Sequence, residues 1–176
     1  ISSSFYTFER FDTLNTSDTF IRNFEAFSLN LNYKKVSLRT RMNFETNLGN
    51  SLDSDPRMRF YNLYFEARDI FDMFTLKLGR QPLFTPVAGG LYDGVNLKFK
   101  YSSVSITGFY GGNVPAYQKM EITNDLKNDY VLGGKFNVTF LDNFNLGLSY
   151  IDKNFKPLDF TAWRLDGNLN LIQVLI

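Results

Sequence analysis

The side chains that could do chemistry in this chain are its charged residues, and a set of them recurs at even spacing. Arg39, Arg41 and Glu45 are separated in this way, as are Glu66 and Arg68, Lys98 and Lys100, and Arg164 and Asp166. Lys77 and Lys135 hold equivalent places in segments of their own. In an extended chain, residues two apart share one face, so these groups are expected on a single wall where bases outnumber acids. Such a wall attracts anions and repels cations. It offers electrostatics and no nucleophile or proton shuttle.

Most covalent and metal chemistry is absent by composition. The 176 residues include no Cys and no His, which removes disulfides, thiolate and imidazole ligands, Cys nucleophiles and His-based triads. No pair of carboxylates has a spacing that defines glycosidase geometry. Asp53, Asp55, Asn124, Asp125, Asn128 and Asp129 could supply oxygen ligands, but not in the order of a calcium loop, and they read as solvated loop acids. The net charge is +1 and the bases form no concentrated patch, which argues against nucleic acid. We expect no enzyme, no cofactor and no metal site.

The elements that carry the charged wall are strands. From Val36 to Leu48, apolar or Thr side chains alternate with Ser37, Arg39, Arg41, Asn43, Glu45 and Asn47. Tyr130 to Phe140 divides in the same way, and further segments cover 27–33, 59–67, 74–78, 95–101, 104–110, 144–150 and 161–171. With a weaker first strand over 3–11, about ten strands are expected. Phe24 and Phe27 fall on opposite faces, which calls for a bulge or for the strand leaving the membrane there. The connections alternate, with short ones at 34–35, 69–72, 102–103 and 141–143. Long polar ones are expected at 12–18, 49–56, 82–92, 111–129 and 153–158.

The aromatic content, 19 Phe and 10 Tyr in 17% aromatic residues overall, gathers at the ends of the apolar face. Tyr33, Phe74, Tyr101, Phe140 and Phe144 lie beside the short turns. Phe44, Tyr61, Tyr110, Tyr130, Tyr150 and Trp163 lie toward the long loops. Two girdles around an apolar band roughly 25 Å tall mark a strand-built membrane protein, and no run of about 18 apolar residues exists that could span as a helix. A soluble sandwich would also alternate, but would bury the apolar face and leave the charges in water.

The stretch 74–112, with Leu78-Gly79-Arg80-Gln81 followed by Asp93-Gly94-Val95, resembles the alginate-export-like and related porin families of Gram-negative outer membranes. The resemblance implies a strand ending in a GRQ-like element, an outer loop, and a DG element that opens the return strand. Arg80 and Asp93 are expected to pair across that hairpin and pin its loop, with Gly79 and Gly94 allowing close backbone approach. Barrels of these families are larger than ten strands.

The expectation is therefore an all-β, transmembrane antiparallel up-and-down β-barrel, a single domain over residues 1–176 that is a piece of a longer chain. It would sit in a bacterial outer membrane with short turns periplasmic and long loops extracellular. Its function would be passive diffusion of small polar or anionic solutes, with lipid and those solutes as partners and a homo-oligomer or protein partner also open. The alternative is a non-conducting scaffold barrel that holds a partner protein or surface assembly.

Overall fold

The computed structural model describes residues 1–11, 17–48, 56–84, 89–115, 119–123, 125–140, 144–155 and 167–175. The backbone alone is described at 6, 8–11, 17–20, 84, 140, 144–145, 155 and 167–175. Ten strands follow one another among these residues. They are β1 (Ser2–Phe11), β2 (Ser17–Tyr33), β3 (Val36–Asn47), β4 (Arg57–Ile70), β5 (Phe74–Phe84), β6 (Gly89–Tyr101), β7 (Val104–Asn113), β8 (Tyr130–Phe140), β9 (Phe144–Phe155) and β10 (Gly167–Leu175). Each pairs antiparallel with the next in one sheet whose spatial order is the sequence order. β1 and β10 are its two edges and do not pair with each other, so the described strands form an open sheet and not a closed barrel. Among the described residues no helix is long and apolar enough to cross a membrane.

Alternation divides the sheet as the sequence suggests, and the apolar face is the one left exposed. Leu97, Leu132 and Leu148 on it are 45%, 43% and 45% exposed, whereas Ser37, Glu66 and Gln81 on the opposite face are 2%, 7% and 2% exposed. The polar face is the concave one, since residues from β4 to β8 on that face enclose a cavity. This inverts the arrangement of a water-soluble sheet, in which apolar side chains are buried and charges solvated.

The strands depart from the expected boundaries where hairpins extend them. Pro82 pairs with Leu91 and Leu83 with Gly90, so the connection expected over 82–92 contracts to 85–88. Proline is tolerated near a hairpin end, where little ladder pairing is lost. β7 continues to Asn113 and β10 covers 167–175, while the first part of the strand expected over 161–171 lies outside the described residues. β2 contains no bulge, because its register with β3 runs unbroken from Arg22↔Asn47 to Tyr33↔Val36. Phe24 thereby falls on the polar face opposite Glu45. The irregularity lies in β4 instead, where Arg41↔Asn62 is followed by Met42↔Phe60 and Tyr61 is the extra residue.

Three short connections are visible at one end of the sheet, at 34–35, 71–73 and 102–103. Lys34, Asp69, Phe71, Asp72 and Ser102 take positive φ there, between 49° and 59°. Lys35 ties two of these turns together, its Nζ donating to the Asp69 carbonyl at 2.7 Å and to Asp72 Oδ1 at 2.9 Å.

A row of glycines crosses the concave face at Gly79↔Gly94 and Gly94↔Gly111. Gly79 has φ of 116°, a conformation that side-chain-bearing residues avoid. A β-carbon at Gly94 would collide with the Tyr110 carbonyl oxygen, and one at Gly111 with that of Asp93. Gln81 uses the approach, its Nε2 donating to the Gly94 carbonyl at 3.2 Å. Gly94→Val should therefore cost about 1–3 kcal/mol through overpacking, seen as a lower urea midpoint in detergent. Gly108→Val is the control, because no atom lies within 4 Å of its added β-carbon, and its midpoint should stay at the native value. Equal midpoints for the two variants would contradict the role given to the row.

Candidate functional site

The charged residues of the concave face meet across strands. Strand neighbours two apart are about 6.6 Å from each other, while directly opposed β-carbons lie about 5 Å apart, so partners come from adjacent strands. Glu66 on β4 sits between Arg39 on β3 at 3.7 Å and Lys77 on β5 at 3.5 Å, and accepts a hydrogen bond from Ser37 Oγ at 3.3 Å. Glu45 on β3 repeats the pattern, with Arg22 on β2 at 4.0 Å and Arg59 on β4 at 3.5 Å. Pairing of Arg41 with Glu45, or of Arg68 with Glu66, along one strand does not occur. Arg41 instead lies over the Tyr61 ring at 5.8 Å, and Lys77 over that of Tyr64 at 5.5 Å.

Beside the Glu66 node the concave face opens into a cavity of about 470 Å3. Glu66, Arg68, Lys77, Lys98 and Lys135, all expected on the charged wall, line it together. Arg39 adjoins it through Glu66. Arg41, Glu45 and Lys100 do not line it, since they lie farther along the strands or on β3. Arg68, Lys98 and Lys135 carry no ion pair among the described residues. Asp69, Asn96, Thr107 and Asn137 also line the cavity. Asp69 was missed because it falls in the stretch read as a short connection, whereas the neutral Asn96, Thr107 and Asn137 carry no charge signal but share the parity of the neighbouring lysines. Arg164 and Asp166 lie outside the described residues. Among the described residues no cluster of acids suited to a metal is present.

Toward the long-loop end, the concave face of β5 to β9 is packed and apolar. Leu83, Tyr92, Phe109, Val131 and Ile151 form a buried cluster, with Tyr92 and Phe109 rings 5.8 Å apart. Asn113 closes this end, its Nδ2 donating to Asp129 Oδ1 at 2.7 Å and to the Asn154 carbonyl at 2.6 Å.

On the convex face, Tyr33 and Tyr101 are strongly exposed beside the short turns, and Phe74 packs on Phe99 with centroids 5.1 Å apart. Tyr110 and Tyr150 are exposed toward the other end, with Phe44 and Tyr130 half-buried. Tyr130 donates its hydroxyl proton to Asp152 Oδ2 at 3.0 Å. Tyr61 departs from its expected place, because the β4 bulge brings its hydroxyl to accept from Nδ2 of Asn43, a buried residue of the concave face, at 3.2 Å. The side chains of Phe140 and Phe144, and Trp163 entirely, lie outside the described residues.

Arg80 and Asp93 pair as expected, in a bidentate contact of 2.8 and 2.6 Å. Their position is unusual. Register continues them from Leu78 and Val95 on the convex apolar face, yet their side chains are only 4% and 7% exposed. Arg80 also donates to the carbonyls of Lys119 at 2.6 Å, Glu121 at 3.1 Å and Phe60 at 3.4 Å.

With this geometry in view, comparison with known proteins adds no assignment. No family model matches the chain, and no curated protein matches it in sequence.

Removing one member of a buried bidentate pair leaves the other charge uncompensated. Arg80→Gln should lower unfolding free energy by about 3–5 kcal/mol, and Arg80→Lys should recover part of that, in urea titrations followed by circular dichroism. A native midpoint for Arg80→Gln would show that the pair does not hold this end of the sheet.

Proposed function

We propose that this chain forms part of a transmembrane β-barrel of a bacterial outer membrane, of the porin kind, whose concave polar face lines a channel for small anionic or polar solutes. The observation that carries the reading is the inversion of the sheet. Its convex face is an exposed apolar surface, and its concave face holds the charges. Contiguous exposed apolar area of this extent marks a surface that meets something apolar, and paired strands present no unsatisfied backbone to lipid.

Three further features support it. Exposed tyrosines flank the apolar band, as interfacial aromatics do. On β2, the exposed Glu25 lies on the convex face beyond Phe27 and accepts at 3.3 Å from Nδ2 of the buried Asn23, a charge suited to a strand emerging into water. On the concave side, the buried Asn43 Oδ1, Asn47 Nδ2 and Asn62 Oδ1 have no protein hydrogen-bond partner among the described residues, which leaves them to ordered water held within the polar wall.

Within the channel, Glu66 is shared by two bases, so the cationic side of the cavity falls to Arg68, Lys98 and Lys135. These would lower the energy of a passing anion relative to a cation. A second reading, a barrel without conductance that holds a partner, is favoured by one observation. The upper concave face of β5 to β9 is closed by the cluster around Tyr92 and Ile151, and small barrels are commonly filled by their own side chains.

Planar-bilayer recording of the purified protein decides between the two. The channel reading predicts openings whose reversal potential in a salt gradient favours anions. Lys98→Gln with Lys135→Gln should move that potential toward the cation side, and Glu66→Gln should move it the opposite way. Silence in the bilayer would favour the filled scaffold, and unchanged potentials in both variants would remove the cavity from the conducting path.

A further inference from the structure

The segment after β7 does not rise away from the sheet; part of it lies back over the convex face. Two contacts fix it there. Gly112 belongs to that face by its register with Asp93, and a β-carbon on it would collide with Thr123 Cγ2 and come within 3.3 Å of Leu126 Cδ2. Beside it, the buried Arg80 guanidinium donates to the carbonyls of Lys119 and Glu121. Residues 119–123 and 125–127 thus form a strap across the ends of β5, β6 and β7, seated on a glycine and held by an ion pair.

With those carbonyls turned inward, the strap's apolar side chains are left exposed. Met120 is 56%, Ile122 72% and Leu126 40% exposed. They add to the convex surface on which Tyr110 is exposed, two residues before Gly112. An Ile this exposed, on a segment fixed at several points, loses free energy in water that contact with hydrocarbon would restore.

We propose that the strap is an interfacial anchor, whose Met120, Ile122 and Leu126 enter the hydrocarbon edge of the lipid leaflet on the long-loop side. Its partner is bilayer lipid, and the inference rests on the membrane reading above. Polar groups of the strap, Lys119, Glu121 and Lys127, are all exposed and would lie among headgroups, as in other elements that sit in the interface plane. The buried Arg80–Asp93 pair acquires a purpose in this arrangement, because it holds irregular backbone against the barrel wall at the depth where water thins out.

The absence of cysteine allows a clean test. Ile122→Cys and Leu97→Cys, each labelled with an environment-sensitive fluorophore, would be compared in phosphatidylcholine–phosphatidylglycerol vesicles carrying nitroxide-labelled lipid. Leu97 lies on the convex face well inside β6 and reports insertion itself. Loss of most emission at position 122 with a shallow nitroxide, and at 97 with a deep one, is the expected result. Quenching at 97 without quenching at 122 by either lipid would overturn the anchor while leaving the barrel. Absence of quenching at both would overturn the membrane reading and the anchor with it.

Discussion

A carboxylate buried on the concave side of a sheet cannot stay unanswered, because taking a lone ion out of water costs several kcal/mol. In this sheet the answer comes from the adjacent strand. Among the described residues, the buried carboxylates of that face, Glu45 and Glu66, each lie between bases contributed by the strands on either side. The strand order from β2 to β5 is thus stitched on its polar side as well as by its backbone ladder. Pairing of this kind depends on register, and a slip of one residue would turn every charge onto the apolar surface.

The same requirement explains the opposite rim. Arg80 and Asp93 fall on the apolar side of their strands, where neither water nor the concave network reaches them. They answer each other, and the carbonyls of residues 119 and 121 satisfy what remains of the guanidinium. Close backbone approach along Gly79, Gly94 and Gly111 brings these three strands near enough for Gln81 to bond across the row. Polar groups set on each face therefore add cross-strand contacts to the backbone ladder that holds the sheet in register.

Much of this was legible in the sequence. Alternation located β3 and β8 closely, since 36–48 and 130–140 keep one parity throughout. The charged wall was also legible, because Lys77, Lys98 and Lys135 needed only parity to be placed together. The bulge at Tyr61 was missed, although the sequence carries a trace of it. Arg57 and Arg59 are odd-numbered while Glu66 and Arg68 are even-numbered, and one face can hold both sets only if an extra residue intervenes. The choice of ion-pair partners was out of reach, as it follows from diagonal contacts such as Arg39 with Glu66 that require the register. The course of 119–123 and 125–127 was equally hidden, since periodicity describes strands and says nothing of where an irregular segment lies.

The central claim is that the exposed apolar face meets lipid and the charged concave face meets water. Single cysteines placed from Val95 to Lys100 on β6, treated with a water-soluble thiol reagent in lipid vesicles, test it most directly. The account predicts reaction at 96, 98 and 100 with protection at 95, 97 and 99. Uniform reaction along the strand, or the reverse alternation, would contradict it.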